Sequence, residues 1–406
     1  MSEITKPIVL NETFEAAMNK QNALLEVMAA SSLRDLASDW QGLADLADSG
    51  LFEQAYAIGD QFVETWKDTA NNNQEYTYPF QLNHIGNVEL QDGEVLSARP
   101  FLQAHYAHPF GVQFSHQRAI LKCPDGLAAG TYYFTIESSW GTHVSAGDVV
   151  CFTTTVAVPA GGRVSGCYGA PDQAKSNWKI YTHSADGKTI LETITPTFTA
   201  SGTNLGTVKA NTRNGNLNSM QEAAYGWNRW SKSALRQYLN SAAAIGAWWT
   251  AQDEWDIAPD QLTTKPGFLS GCSEAFVEAI KAVKVVTYPN TVNDDPQGNT
   301  PDITYDKVFI PSLEQIFVNP QKSGEGEYHE YWKRRSGRET VMAQGGTYPQ
   351  IITYAVENHT SAQFVRLRSA LRGFASSPWL VYSSGLVGNG GSSASGAIRF
   401  SPLVVL

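Results

Sequence analysis

The stretch Trp379-Leu-Val-Tyr-Ser-Ser-Gly-Leu-Val387 decides how the C-terminal part of this chain folds. Its first four residues are apolar or aromatic at every position, and successive side chains of a strand point to opposite faces. Both faces are therefore apolar, which predicts a strand buried on both sides or one whose outer face meets a partner. The surrounding tail is rich in Ser, Gly and Ala and predicts short strands joined by loops of small residues.

The whole chain has the composition of a compact protein with more than one domain. Its 406 residues exceed the size of about 250–300 residues at which single cores stop growing. Hydrophobic residues make up 42% and charged residues 17%, so there is ample apolar surface to bury. The net charge of -10 disfavours nucleic acid as a partner, because phosphate binding needs concentrated Lys and Arg.

The sequence also bears on membranes and redox state. No run approaches the roughly 18 apolar residues of a membrane helix, and the first residues do not form a secretory signal. We therefore expect no membrane insertion. The 4 cysteines (Cys123, Cys151, Cys167 and Cys272) lie at distant, irregular spacings. We interpret them as free buried thiols of a protein folded in a cytoplasm, with a disulfide among the first three as the alternative.

The N-terminal region has a helical pattern. Between residues 11 and 48, apolar side chains recur at steps of three and four, which is the spacing of a helical seam. Ser32 is a predicted N-cap, and Gly50 is a predicted helix end. We assign 1–52 to a helical attachment or oligomerisation segment, with a simple pair of packed helices as the alternative.

A β-rich region follows. Thr131–Ile136 and Asp148–Val156 are rich in β-branched and aromatic residues, and turn-forming residues separate such runs. Short, regularly spaced strands predict a β-sandwich-like module, which we place at 95–208.

Several motifs in the second half occur in a fixed order with the Trp379–Val387 stretch. They are Tyr225-Gly-Trp-Asn-Arg-Trp-Ser-Lys-Ser-Ala-Leu-Arg-Gln-Tyr-Leu-Asn240, Asp306-Lys-Val-Phe-Ile-Pro-Ser-Leu-Glu314, Leu367-Arg-Ser369 and Ala397-Ile-Arg399. This pattern resembles a domain family of unknown function that is common in phage and prophage proteins. That family is similar to the formylglycine-generating-enzyme branch of the C-type lectin fold, to which the variable proteins of diversity-generating retroelements also belong.

The resemblance implies an α+β fold with a C-type-lectin-like domain at 215–406 and a possible opening part at 53–94. The sequence departs from the family pattern at three places. Arg366 stands where the family usually has an aromatic residue, Ala370 replaces a proline, and two extra residues precede Pro402.

The variable proteins of diversity-generating retroelements bind changing ligands with hypervariable residues of their C-terminal segment, and the resemblance implies a ligand-binding surface on the same segment here. The expected core of this segment is Leu367, Trp379, Val381, Gly385 and Val387. The expected ligand-binding residues are Arg366, Leu371, Arg372, Phe374, Leu380, Tyr382, Ser384, Leu386, Gly388 and Asn389. Tyr, Ser, Gly and Asn form a mixture typical of binding loops, and Arg adds cationic or stacking contacts. The alternative is that these residues pack against the β-rich module or a sister subunit.

Catalytic chemistry is not expected. Formylglycine generation uses a cysteine pair near the C-terminus, and the last cysteine here is Cys272. His105 and His108 lack a nearby acid, so we interpret them as structural rather than as iron ligands. The sequence contains neither a G-x-S-x-G elbow nor a phosphate loop. The acidic loop at 291–302, with Asn293, Asp294, Asp295 and Asp302, is interpreted as solvated rather than calcium-binding. We expect no cofactor and no metal.

The resemblance, together with the lack of a secretory signal, implies a phage virion protein, assembled in the host cytoplasm and extracellular when mature. It is expected to act as a receptor-binding or adhesin component, as a homo-oligomer with a trimer favoured. Its expected partners are a host cell-surface protein or glycan and other virion proteins. The alternatives are a purely structural tail, neck or head-decoration subunit and, as the weaker option, a bacterial surface adhesin.

Overall fold

The computed structural model describes most of the chain. The described residues are 8–115, 119–137, 145–166, 174–208, 228–253, 255–291, 299–316, 321–336, 347–373, 377–388 and 396–406. Their helices are α1 (Ile8–Leu36), α2 (Trp40–Asp48), α3 (Phe52–Ala55), α4 (Ala234–Leu239), α5 (Glu274–Ala279) and α6 (Glu330–Ser336). No helix among these residues combines the length and the apolar character needed to cross a membrane.

The strands of the same residues are numbered in chain order. They are β1 (Gln61–Asp68), β2 (Gln74–Glu89), β3 (Val95–Ala104), β4 (Leu121–Cys123), β5 (Gly130–Ile136), β6 (Val149–Thr154), β7 (Gly162–Gly166), β8 (Ile180–His183), β9 (Ile190–Ile194), β10 (Thr203–Val208), β11 (Val283–Thr287), β12 (Asp302–Asp306), β13 (Val308–Phe309), β14 (Thr353–Tyr354), β15 (Ala362–Gln363), β16 (Val365–Ala370), β17 (Pro378–Val381), β18 (Val387–Gly388) and β19 (Leu403–Val405).

The N-terminal helices follow the sequence pattern but divide at a different place. Ser32 lies inside α1, whereas the N-cap of α2 is Asp39, whose carboxylate accepts a hydrogen bond from the Gly42 N–H at 2.9 Å. The last turn of α1 contacts the body, since the Arg34 Nε donates to the Ala55 carbonyl at 2.5 Å. Gly50 has φ +71° and ends α2 as predicted.

The largest sheet joins both ends of the chain. It has the strand order β1-β2-β3-β19-β13, and its pairs are antiparallel. The β-rich module was predicted to begin at residue 95. The strand β3 instead belongs to the large sheet, because it pairs with β2 and with the C-terminal strand β19. The inner face of this sheet packs with α2, α4 and α5 in one large apolar core.

The β-rich module begins at residue 119. The strands β10-β5-β6 form one of its sheets and β4-β7-β8-β9 the other. Phe134 and Phe152 from the first sheet share an apolar cluster with Val164 and Ile180 from the second. The two sheets enclose a core of their own, which explains why the sequence of this region has the strand pattern of a separate β-rich unit.

The C-terminal motifs build a third, smaller core. β16, β17 and β18 form an antiparallel sheet, and one face of it packs against Leu313, Ile316 and Ile351. The protein is therefore a mixed α+β fold, in which helices cover a large sheet and two smaller β units are attached to it.

Candidate functional site

The residues expected to form the core of the C-terminal segment are all buried: Leu367, Trp379, Val381, Gly385 and Val387. Gly385 has φ +78°, and a Cβ at this position would lie 2.4 Å from the Tyr348 carbonyl oxygen. A side chain does not fit there, so the turn between β17 and β18 requires glycine.

Three residues expected to face a ligand are buried instead. Arg366, Leu371 and Leu380 are at most 3% exposed. The Arg366 guanidinium lies 5.8 Å from the centre of the Phe114 ring, and Leu380 pairs with Arg366 across β16 and β17. The second face of this sheet is therefore covered by the same chain, which corrects their assignment to a binding surface.

The remaining expected residues divide between two ends of the sheet. Arg372 lies at the β16 end of the β16–β17 connection, where its Nη1 donates to the Pro289 carbonyl and its carbonyl accepts from the Thr291 N–H at 2.7 Å. It therefore holds a neighbouring loop. Phe374 and Asn389 lie outside the described residues.

The other four expected residues cluster in the hairpin that joins β17 to β18. Ser384 is exposed, and Tyr382, Leu386 and Gly388 are half-buried. Phe364, which is not among the expected ligand-binding residues, is 42% exposed, and its ring centre lies 5.0 Å from that of Tyr382. We call the exposed surface of Phe364, Tyr382, Ser384, Leu386 and Gly388 the hairpin patch.

Arg368, on the same segment, anchors a buried polar network. Its Nη1 donates to the Ile310 carbonyl at 2.9 Å and to the Gln315 Oε1 at 2.5 Å, and its Nη2 donates to the Glu325 carbonyl. The Glu325 carboxylate is also buried and accepts from the Tyr288 N–H at 2.8 Å. Burial raises the pKa of Glu325, while the charge of Arg368 opposes that rise. The Leu-Arg-Ser motif therefore includes a buried cation that connects distant segments.

A pair of histidines lies next to Arg368. The rings of His84 and His329 are nearly parallel, with centres 5.2 Å apart, and both contact Phe101. Together with Glu327 and Arg368 they line a cavity of about 290 Å³, which we call the histidine pocket. The His84 Nε2–H donates to the Glu327 carboxylate at 3.1 Å, so the buried Nδ1 of neutral His84 carries a lone pair.

The histidine pocket disfavours protonation. Burial lowers the pKa of His84, although the Glu327 carboxylate opposes this shift. Burial and the neighbouring His84 and Arg368 charges lower the pKa of His329 further. Both ring nitrogens of His329 lack a hydrogen-bond partner among the described residues. Both rings are therefore neutral at pH 7 and resist charging in acid.

This arrangement makes folding stability depend on pH. The unfolded chain takes up a proton at each histidine near pH 6.5, whereas in the folded chain the lowered pKa values oppose this uptake, so stability falls as pH drops below that value. His329, whose pKa is lowered well below its usual range, is expected to account for up to about 1.4 kcal/mol of this fall between pH 7.5 and 5.5. The variant His329→Phe keeps a ring in the stack. In urea unfolding, its free energy of unfolding should decrease less between pH 7.5 and 5.5 than that of the unmodified protein.

The exposed Phe364 supplies the matched control. Phe364→Leu removes no titratable group and is expected to leave the difference between the two pH values unchanged. If the free energy of unfolding of His329→Phe decreased as much at low pH as that of the unmodified protein, His329 would be protonated in the folded state as readily as in the unfolded state.

The remaining predicted sites have structural partners. His108 is fully buried, with its Nδ1 2.8 Å from the Tyr78 hydroxyl and its Nε2 3.1 Å from that of Tyr238. His105 Nδ1 lies 3.0 Å from the Gln81 Oε1. Within the described part of the chain, no group of three or more His, Cys, Asp or Glu is placed to hold a metal ion.

The predicted acidic loop and the cysteines are only partly described. The Asp302 carboxylate accepts from the Arg229 Nε at 2.6 Å and from its Nη2 at 2.7 Å, while Asn293, Asp294 and Asp295 lie outside the described residues. Cys123, Cys151 and Cys272 are free thiols, and Cys167 lies outside the described residues.

The fold and these sites define a mixed α+β protein whose C-terminal sheet displays a small aromatic surface. A family model described as a domain of unknown function, DUF6273, matches residues 186–401, which is more than half of the chain. The chain belongs to this family. The match begins in the β-rich module and extends through the hairpin patch. No curated protein and no solved structure matches the chain.

Proposed function

We propose that this chain is a non-enzymatic phage virion protein that binds a host receptor through a C-type-lectin-like domain at 215–406. It acts in the assembled particle as a homo-oligomer, with a trimer favoured, and contacts a host cell-surface protein or glycan. The order of the sequence motifs supports the lectin-like and phage assignments. The observation that supports receptor binding is the hairpin patch.

The hairpin patch has the properties of a small recognition surface. Phe364 and Tyr382 present two aromatic rings beside the small residues Ser384 and Gly388. Rigid aromatic side chains supply contact area at a low entropy cost, and small polar neighbours adapt to the partner. The sheet beneath them is buried on both faces, so the patch is supported by a rigid framework.

The first helix supports membership in an assembly. α1 has 29 residues and is therefore roughly 40 Å long. Large apolar side chains along it are exposed: Met18, Leu24, Leu25, Val27 and Met28. Exposed apolar side chains on a long helix are stabilised by burial against another helix, and copies of the same chain provide one.

The proposal is tested in a phage whose particles contain this protein. Phe364→Ala/Tyr382→Ala is expected to slow adsorption to host cells by about tenfold or more, because truncating aromatic anchors of an interface costs roughly 2 kcal/mol or more. Particle yield, counted by electron microscopy, is expected to be unchanged. Val156→Ala/Ile190→Ala removes two exposed apolar residues of the β-rich module and should leave adsorption unaltered.

Two outcomes would contradict the receptor-binding role. Normal adsorption of the Phe364→Ala/Tyr382→Ala particles would show that the patch does not contact the receptor. Failure of the particles to assemble would favour the alternative of a structural virion subunit, for which the exposed apolar side chains of α1 are the specific supporting observation.

A further inference from the structure

The outer face of the large sheet carries a row of buried amide side chains. Gln81 and Gln103 are paired in register across β2 and β3, and Asn83 lies at a bulge in β2. Each of the three is at most 7% exposed. They line a cleft of about 130 Å³ between the sheet, α6 and β14. A row of amides in a covered cleft offers both donors and acceptors to a ligand.

The direction of hydrogen bonding along this row is determined at one end. The Ser401 hydroxyl donates to the Ala104 carbonyl, so it accepts from the Gln103 Nε2 at 3.2 Å. The Gln103 Oε1 therefore faces Asn83 and accepts from its Nδ2 at 2.6 Å. In turn, the Asn83 Oδ1 accepts from the Gln81 Nε2 at 2.9 Å.

Each amide nitrogen in the row thus donates one hydrogen bond along the sheet. An amide nitrogen carries two hydrogens, so Gln81, Asn83 and Gln103 each retain one N–H for another acceptor. Trp332 also lines the cleft, and its indole N–H is buried and lacks a partner among the described residues. Buried donors without partners are costly, and a ligand with several acceptor oxygens would satisfy them.

The walls of the cleft define the chemistry of the ligand further. Tyr331, Trp332 and Tyr354 contribute aromatic side chains, and Tyr354 is 37% exposed at the rim. None of the described residues that line the cleft is Asp, Glu, Lys or Arg. A charged ligand would leave its charge desolvated and unpaired here, whereas an uncharged ligand with hydroxyl groups and an apolar ring face fits both the amides and the rings.

We propose that this cleft binds a single uncharged sugar residue. The sugar hydroxyls accept from the amide row and the Trp332 indole, and the apolar face of the sugar ring contacts Tyr354. A volume of about 130 Å³ corresponds to roughly four water molecules of about 30 Å³ each, so the cleft admits the edge of one ring. The remainder of a glycan extends into solvent. The hairpin patch does not contribute to this cleft, so the proposal stands independently of the proposed receptor contact.

Saturation-transfer NMR on the full chain tests the proposal. The probes are the methyl glycosides of glucose, galactose, mannose, N-acetylglucosamine and rhamnose, together with methyl glucuronide as a charged analogue. At least one neutral glycoside is expected to bind, while the glucuronide is not. Tyr354→Ala should weaken that binding by about tenfold or more, because it removes the aromatic contact at the rim.

Two further variants separate ligand contacts from effects on folding. Trp332→Phe keeps a ring but removes the N–H, and should weaken binding by about threefold or more in a normally folded protein. Val156→Ala removes an apolar side chain of similar exposure from the β-rich module and should leave sugar binding unchanged. The proposal is overturned if no neutral glycoside binds, or if binding persists unchanged in both Tyr354→Ala and Trp332→Phe. Neither result depends on phage adsorption.

Discussion

Val404→Asp is expected to abolish folding at neutral pH. Val404 is fully buried in β19, where it pairs with Leu102 of β3 on one side and Val308 of β13 on the other. A carboxylate at this position is removed from water without a partner, at a cost of at least about 4 kcal/mol. Because total stabilities are only about 5–15 kcal/mol, soluble yield and circular dichroism should show little or no folded protein.

A valine in the same sheet provides the matched control. Val63 of β1 is 61% exposed, and Val63→Asp is expected to change the free energy of unfolding by no more than about 0.5 kcal/mol. If Val404→Asp folded as well as Val63→Asp, the C-terminal strand would not lie in the centre of the sheet.

Arg368→Met is expected to destabilise the protein by about 3–5 kcal/mol, measured by urea unfolding at pH 7. The substitution removes the donors to the Ile310 and Glu325 carbonyls and to the Gln315 side chain. It also leaves the buried Glu325 carboxylate without its neighbouring cation. Leaving buried acceptors and a buried charge unsatisfied costs more than the net contribution of the interactions themselves.

A double-mutant cycle measures how much the interaction between the charges of Arg368 and Glu325 contributes to stability. Arg368→Met/Glu325→Gln should be more stable than the two single effects added together, by about 1 kcal/mol or more, because the amide needs no cation. Without Arg368 the pKa of Glu325 rises further above its unfolded value, so the deficit of Arg368→Met should shrink as pH falls towards about 4.3. Simple additivity, with a deficit independent of pH, would mean that Glu325 and Arg368 do not interact.

Local patterns predicted several elements for direct physical reasons. Strand alternation placed Trp379 and Val381 on one face, the resemblance added Val387 to them, and these residues share a buried cluster. Gly50 was predicted to end a helix, and it adopts a positive φ value that other residues rarely adopt. The β-rich composition before residue 208 likewise corresponds to a module with its own core, since strand propensity and turn residues act over short distances.

The candidate sites depend on contacts between distant segments, which local patterns do not contain. His84 and His329 stack although 245 residues separate them, and the outer-face amides connect to Ser401 through Gln103. No spacing rule relates such positions. The sequence motif Leu367-Arg-Ser369 pointed to one residue of the histidine pocket, Arg368, but not to the two histidines.

The sequence alone determined which side chains share a face of the C-terminal strands, because backbone geometry makes that alternation obligatory. Only the tertiary structure decided which of those faces meets water. Arg366 and Leu380 were expected to be exposed, but Phe114, from a segment more than 200 residues earlier, packs against the Arg366 guanidinium. Burial requires two surfaces in contact, so the stabilisation that burial provides depends on the sequences of both segments. The alternation of side chains depends on the backbone of one strand alone.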